Sequence, residues 1–415
     1  MENCNAKNDE TIKHINTMIT NYKKKILVLT LYLLFNFCYI SAQTYDYSYT
    51  IGTTGVSGTD NSHFNQPTDI DFDSSGNIYI GDNRNQRIQI YNSSGTYINT
   101  FNSGSGNLNF NFVDGVAIDA SNNIYISNDN TQEIFKYNSS FNYVTEISHN
   151  GVIDLASNGS NIYASHFNTY TANTYNTSLS LTSSFGTGNP ETSNAGFLFP
   201  LGIAVDASGN IYVVDVYNHR VQVISSAGAY ITTIGVSGVS GSDNSHFQTP
   251  HSVAIDPTNG NILVADTLNY RIQIFDSSYN YITTIGGNGV GSANNQFNRV
   301  DYINVDSTGN IYISDRFNHR VQVFTKNTLG LEELNSKSEV LAFPNPTNDV
   351  LTINSKNEFE YIIIHNHLGQ QVLKTKNQSQ NNYTTINISS LKQGTYFAEV
   401  LTKNGISSFV KFVKI

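Results

Sequence analysis

A segment that recurs about every 50 residues between Phe64 and Phe324 constrains this chain more than any other feature. One copy, over residues 199–223, reads FPLGIAVDASGNIYVVDVYNHRVQV. It consists of short runs in which apolar and polar residues alternate, and Gly209-Asn210 separates two of them as a hairpin turn would. A repeat of about 40 to 50 residues built only from strand-length pieces and turns predicts a β-propeller.

The copies align on an Asn-Ile-Tyr step or its equivalent. Six are present, centred on Tyr79, Tyr125, Tyr163, Tyr212, Leu263 and Tyr312. A full copy contains four predicted strands, but the sixth stops after its third strand, at Phe324. The N-terminal segment 45–52 resembles the missing strand, since Thr50-Ile51-Gly52 matches Thr233-Ile234-Gly235. We therefore predict an all-β chain with a six-bladed propeller over residues 43–325, in which the N-terminal strand completes the last blade and closes the ring.

Four copies share the pattern Asp-x-x-Asn-x-Arg after the second strand. They are Asp82/Asn85/Arg87, Asp215/Asn218/Arg220, Asp266/Asn269/Arg271 and Asp315/Asn318/Arg320. Together with a Phe-x-x-Pro step at Phe64–Pro67 and Phe247–Pro250, this pattern resembles the NHL-repeat propeller family. Copies two and three depart from it, with Asn128 and Glu133 and with His166 and Thr171. Because the motif recurs in four blades, its charges favour bracing of strands over catalysis.

The N-terminal segment has the composition of an export signal. Lys23-Lys24-Lys25 precede an apolar run that ends before the small residues Ser41-Ala42. This order predicts a signal peptide over residues 1–42, cleaved after Ala42, which leaves no permanent transmembrane segment. A retained anchor is the alternative. A polar stretch ahead of Met18 leaves two candidate starts, Met1 and Met18.

The C-terminal part loses the propeller pattern. Residues 326–340 are a predicted linker, and residues 341–415 contain short alternating strands. Pro344-Asn345-Pro346 and the run LKQGTY at residues 391–396 make this segment resemble the type A sorting domain of the type IX secretion system. The resemblance implies a small β-sandwich that the secretion machinery recognises. It also implies export through the periplasm to the outer cell surface or the medium. An ordinary adhesive sandwich domain is the alternative.

Charge excludes one class of partner. Residues 43–325 contain eight Lys and Arg against 22 Asp and Glu, a net charge of 8 − 22 = −14. Nucleic-acid binding depends on clustered positive charge, which this balance does not provide. Nucleic acid is therefore not an expected partner.

A site must lie where the blades differ but converge, around the central channel. Five positions before the Asp that follows each first strand stand Thr68, Asp114, Leu201, His251 and Asp301, with Val152 by a looser alignment. Asp69 lies one position later in blade one. Related lactonase-like and amidating-lyase-like propellers place metal ligands there, and Asp114-Gly115 resembles such a step. We therefore consider Asp69, Asp114, His251 and Asp301 as ligands of a divalent cation, Ca²⁺ or Zn²⁺. Solvated residues of a wet channel are the alternative.

Three functions fit the sequence. The first is a secreted or surface-displayed binding module for a glycan, a peptide or an envelope protein, with the Tyr-rich segment 167–175 suited to sugar stacking. The second is a metal-dependent lactonase- or lyase-like enzyme acting at the channel mouth. The third is a structural extracellular protein without a specific ligand.

Overall fold

The computed structural model describes residues 44–102, 110, 112–128, 130–327, 340–356, 358–366, 371–377, 382–401 and 407–415. The described residues up to Asn327 form one compact unit, and those from Val340 onward belong to a second. The predicted signal peptide and most of the predicted linker lie outside the described residues.

The first unit contains six four-stranded antiparallel sheets. In chain order, the strands are β1 (Thr44–Ile51); β2 (Pro67–Phe72), β3 (Ile78–Asp82), β4 (Arg87–Tyr91), β5 (Tyr97–Phe101); β6 (Val116–Ile118), β7 (Ile124–Asn128), β8 (Glu133–Tyr137), β9 (Tyr143–Ser148); β10 (Val152–Ser157), β11 (Asn161–His166), β12 (Thr171–Asn176), β13 (Leu181–Phe185); β14 (Pro200–Val205), β15 (Ile211–Asp215), β16 (Arg220–Ile224), β17 (Tyr230–Gly235); β18 (Val253–Ile255), β19 (Ile262–Asp266), β20 (Arg271–Phe275), β21 (Tyr281–Gly286); and β22 (Val300–Val305), β23 (Ile311–Asp315) and β24 (Arg320–Asn327). This architecture confirms the all-β propeller prediction.

Burial explains the composition of each blade. Every residue of β15 and β16 is buried, because neighbouring sheets cover both faces of these middle strands. The outer strand β17 is largely exposed and carries Tyr and Thr instead. Interleaved Ile, Val and aromatic side chains from adjacent sheets form the cores between blades.

The N-terminal strand belongs to the last blade, as predicted. β1 pairs antiparallel with β24, with Ile51 opposite Val321 and Thr44 opposite Asn327. The Tyr47 and Phe324 rings meet edge to face at 6.0 Å. The first strands of neighbouring blades contact one another in sequence order, and β22 also contacts β2.

Two sheets make up the second unit. β25 (Val340–Phe343), β26 (Val350–Ser355) and β29 (Tyr383–Asn387) form one sheet. β28 (Gln371–Lys376), β27 (Tyr361–Asn366), β30 (Gly394–Leu401) and β31 (Ser407–Lys414) form the other. Apolar side chains from both sheets, including Leu351, Ile386, Ile362 and Val400, share one buried core. This is the small β-sandwich that the sequence predicts.

Helical structure in the described propeller residues consists of single 3₁₀ turns, at Asn83–Asn85, Val216–Asn218, Thr267–Asn269 and Arg316–Asn318. No helix in the described part of the chain is long and apolar enough to cross a membrane.

Candidate functional site

The strand register places one set of loops on the same face of the propeller. In four of the six blades the first residue of the inner strand lies opposite the last residue of the second strand, as in Pro67 with Asp82 and Pro200 with Asp215. The 3₁₀ turns follow the second strands directly. These turns and the first residues of the inner strands therefore surround the same end of the channel, and we call this end the mouth face.

The repeated Asp-x-x-Asn-x-Arg motif braces the connector ahead of each inner strand. Asp215 Oδ2 accepts hydrogen bonds from Arg220 Nε at 2.8 Å and Asn218 Nδ2 at 2.7 Å, and its Oδ1 accepts from the Leu198 N–H at 2.6 Å. Arg220, 1% exposed, also donates to the Ser193 carbonyl. Equivalent bonds recur around Asp82, Asp266 and Asp315. Because both carboxylate oxygens accept hydrogen bonds from the motif or the connector, the motif has a structural role.

The repeated histidines are also held by backbone and connector contacts. The Thr249 N–H donates to His219 Nδ1, and the Gln66 N–H donates to His319 Nδ1, each at 3.2 Å, which links neighbouring blades. His63 and His246 each pair with an Asp of their own connector.

Two of the predicted site residues, His251 and Asp301, lie next to each other. His251 Nδ1 lies 3.1 Å from Asp301 Oδ1, on the mouth face. Arg299 Nε contacts both oxygens of Asp301, at 2.8 and 2.9 Å, and Arg316 Nη1 lies 2.9 Å from Oδ2. Burial alone would raise the pKa of Asp301, but His251 and the two guanidinium groups hold it well below its usual range. Asp301 is therefore an ionised carboxylate whose charge is balanced by two arginines, and it orients both of them.

Asp114 and Asp69, the other two predicted site residues, each accept a hydrogen bond from a neighbouring blade. Asp114 Oδ1 accepts a hydrogen bond from Asn83 Nδ2 at 3.0 Å. Asp69, deeper in the channel, accepts from the backbone N–H groups of Ile70 and Val116 at 2.8 Å. In the described chain, no three His, Cys, Asp or Glu side chains converge as a metal donor set.

In blade three, the residue that the sequence aligns with Thr68 needs one correction. Val152 lies opposite His166, as Pro67 lies opposite Asp82, so Val152 occupies the proline position. Ile153, one residue later, is therefore the residue that aligns with Thr68. The looser alignment is one residue off because blade three has Asn158 in place of the Asp from which the position is counted in the other five blades. The correct register places Asp154 level with Asp69, a neighbour that the sequence prediction missed.

Asp69 and Asp154 line a cavity of about 230 Å³ inside the channel, beside Asp71 and Ser252. Asp154 is 3% exposed, and its Oδ2 accepts from the Ile203 N–H at 2.9 Å. Its Oδ1 has no donor among the described residues. Burial raises the pKa of Asp154 to about 7, and burial and the Asp154 charge raise the pKa of Asp69 well above its ordinary value. A proton on the Asp69 carboxyl would supply the missing donor.

The sequence prediction also missed a cluster of arginines. The propeller segment has seven Arg, of which four belong to the repeated motif. The remaining three, Arg84, Arg299 and Arg316, all lie on the mouth face. Arg84 Nε and Arg316 Nη2 both reach Gln66 Oε1, at 3.3 and 3.4 Å, and Arg84 stacks on Phe112 at 5.3 Å. We call Gln66, Arg84, His251, Arg299, Asp301 and Arg316 the mouth cluster. A sequence count that sets aside the four motif arginines singles out the three arginines of this cluster.

Aromatic side chains occupy the blade three and four side of the same face. The Phe167 ring lies 4.9 Å from Phe199, which lies 5.1 Å from Tyr217, and the ring planes are tilted by 47° and 43°. Tyr217 is 54% exposed and stands in the turn that follows β15. We call these three side chains the aromatic arc.

Comparison with known families agrees with this architecture. The NHL repeat model matches residues 64–91, 197–224, 247–275 and 303–324, which are blades one, four, five and six. These are the blades in which the motif is intact. The model described as "Secretion system C-terminal sorting domain" matches residues 341–415. The chain is thus an NHL-repeat propeller protein with a type IX sorting domain, and this domain indicates export to the cell surface or beyond.

Matches to individual proteins cover only parts of them. The chain is 36% identical over 100 residues to the peptidyl-glycine alpha-amidating monooxygenase of Mus musculus, spanning 23% of this chain and 10% of that protein. It is 37% identical over 91 residues to a probable peptidyl-alpha-hydroxyglycine alpha-amidating lyase of Caenorhabditis elegans, covering 21% of this chain and 26% of the relative. The chain therefore spans about a tenth to a quarter of the length of these relatives.

A solved structure shows the fold over a greater length. An auxiliary nutrient binding protein from Bacteroides thetaiotaomicron aligns with a TM-score of 0.54 at 17% identity, over 68% of this chain and 77% of that one. At this identity the likeness defines the fold alone.

Proposed function

We propose that this protein is a surface-displayed or secreted binding module that docks a glycan on the mouth face of its propeller. The observation that carries the proposal is the presence of the aromatic arc and the mouth cluster on one face of the propeller. Aromatic rings and hydrogen-bond donors that share a face are the combination that binds sugars by stacking and polar contacts. The sorting domain supports the location, since an exported protein meets polysaccharides outside the cell.

The rigidity of the propeller supports a role in presentation. The motif networks fix each connector, and the turns that hold Tyr217 and Arg84 follow buried strands directly. Binding groups on such turns lose little conformational freedom when a ligand docks, which favours affinity.

The contacts of Asp301 weigh against the metal-dependent enzyme. Both of its oxygens already bind guanidinium groups, so a cation at this carboxylate would have to displace them. The amidating-enzyme relatives do not change this balance, since their matches cover a small part of each protein.

A panel of soluble oligosaccharides, neutral and acidic, tests the proposal by calorimetry on the full-length protein. We expect saturable binding that Tyr217→Ala weakens at least tenfold, about 1.4 kcal/mol of binding free energy. The matched control is Tyr230→Ala, because Tyr230 is 42% exposed on the outer strand β17, away from the mouth face.

Two outcomes would contradict the proposal. Equal loss of affinity in both tyrosine variants would place the site elsewhere. Saturable binding of peptides or envelope proteins without any glycan binding would favour those partners, and no saturable ligand at all would favour a structural role.

A further inference from the structure

The basic groups of the propeller are unevenly distributed. Its net charge is −14, yet every Arg outside the repeated motif lies in the mouth cluster. The one Lys of this segment, Lys136, is engaged elsewhere, where it donates to the Thr177 carbonyl and lies over the Tyr125 ring. The propeller is acidic as a whole, but its arginines outside the motif all lie at one channel mouth. The electrostatic potential there is therefore more positive than over the rest of its surface.

The mouth cluster contains three guanidinium groups and one imidazole, but only one carboxylate, that of Asp301. Arg299 and Arg316 both bind Asp301, while Arg84 is exposed and has an amide oxygen at 3.3 Å as its polar partner among the described residues. Asp114 also lies near Arg316 and offsets part of its charge. Among these five side chains, three arginines outnumber the two carboxylates of Asp301 and Asp114, which leaves the group with a net positive charge.

Arg84 is held in a form suited to a planar anion. Its guanidinium carbon Cζ lies 5.3 Å from the centre of the Phe112 ring, a cation–π contact that favours this position of the group. Two parallel N–H donors of a guanidinium group match the two oxygens of a carboxylate. Gln66 Oε1 joins Arg84 to Arg316, so a second guanidinium stands beside the first.

We infer that the mouth cluster selects glycans that carry carboxylate groups, of the hexuronic acid class. This inference rests on the proposed function and narrows it. An oligomer of uronic acids offers both features of the mouth face: sugar faces for the aromatic arc in blades three and four, and planar anions for Arg84 in blade one. A neutral glycan leaves the positive excess without a counterpart.

A matched ligand pair tests the inference with the full-length protein. The probes are tetramers of galacturonic, glucuronic and mannuronic acid, and the same tetramers as methyl esters, which keep the sugar face and lose the charge. We expect at least one acid to bind at least tenfold more tightly than its ester. Arg84→Gln should weaken the acid at least tenfold and the ester much less, and 0.5 M NaCl should reduce that difference.

Lys376→Gln is the control for net charge, because Lys376 is an exposed residue of the sorting domain. The circular dichroism spectrum and melting temperature of each variant report whether it has folded. An equal affinity for acid and ester, with loss in Tyr217→Ala, would overturn the carboxylate selection and keep the glycan site. Absence of binding by every acid in the panel would also overturn the selection, and the neutral glycans then decide the proposed function separately.

Discussion

At the scale of single residues, the buried carboxyl pair determines how stability responds to pH. Asp69 and Asp154 line the same cavity, and none of the described residues that line it is basic. The titratable groups nearest the pair are Asp71 and the Tyr302 hydroxyl, and Tyr302 in turn lies near Asp114 and Arg316. Ionising both members of the pair therefore places like charges together in a medium of low polarity.

Asp154→Asn should stabilise the propeller at alkaline pH. The pKa of Asp154 in the folded chain, about 7, lies above the ordinary value of about 3.9. The folded state thus binds the extra proton between about pH 4 and 7, and stability falls as pH rises through this range. The amide needs no proton and can still accept from the Ile203 N–H. We expect a gain of about 1 to 3 kcal/mol at pH 8 and little change at pH 4.5, measured by denaturant unfolding.

Asp301→Asn provides the control of opposite sign. Its carboxylate is held ionised by two guanidinium groups, so the same substitution should lower stability at pH 8. If Asp154→Asn changes stability equally at both pH values, the pair does not share a proton.

The divalent cation suggested by the sequence stays a prediction for Asp69, Asp114, His251 and Asp301. It requires one Ca²⁺ or Zn²⁺ per chain and a melting temperature that a chelator lowers in the parent protein but not in Asp301→Ala. Because Arg299 and Arg316 already neutralise Asp301, we expect the chelator to leave the melting temperature unchanged. Metal analysis and thermal melts of the full-length protein distinguish the two results.

At the scale of the element, periodicity was sufficient to predict the strands. All six residues used to align the copies lie in second strands, from Tyr79 in β3 to Tyr312 in β23. The alternation of apolar and polar residues sets this register, because a slip of one residue would expose the buried face. Blade three is the exception, because it has Asn158 where the other five blades have the Asp from which the inner-strand position is counted.

The site was less predictable because it is built from positions that do not repeat. Arg84 is the second residue of its turn, as Tyr217 and Leu268 are of theirs, whereas Arg316 is the first residue of its turn. An alignment of copies treats both positions as variable surface. Their proximity depends on the contact between the first and last blades, through Gln66. Sequence spacing across about 250 residues does not contain this information.

Removal of the N-terminal strand should expose the edge of the last blade. β1 covers the backbone of β24 and buries Ile51, which is 2% exposed. Deleting residues 43–52 should lower stability by about 3 kcal/mol or more and promote association through the free edge. Light scattering and thermal melts measure both effects.

A peptide of residues 43–54, added in trans, should restore the melting temperature of the deleted protein by strand addition. A scrambled peptide of the same composition should not. Full stability of the deletion variant without peptide would show that β1 contributes little to the last blade.

At the scale of the whole molecule, the two units differ in charge as they do in fold. The propeller segment 43–325 carries −14, whereas residues 326–415 contain nine Lys and seven acidic residues, 9 − 7 = +2. Each unit has its own buried core, one between blades and one between the two sandwich sheets. Separate cores predict that folding of the propeller and export of the chain can be separated by mutation.

Deleting residues 341–415 should therefore stop export without unfolding the propeller. The truncated chain should accumulate in the periplasm, because the segment that matches the secretion sorting domain is gone. Removal of β31 alone should have the same effect, since β31 pairs with β30 along its whole length and Phe412 lies in the sandwich core. Cell fractionation and protease shaving locate the protein, and the melting transition of the trapped form should match that of the propeller in the parent. Unchanged surface display of either truncated chain would refute the sorting role, whereas loss of the melting transition would show that the propeller needs the sandwich to fold.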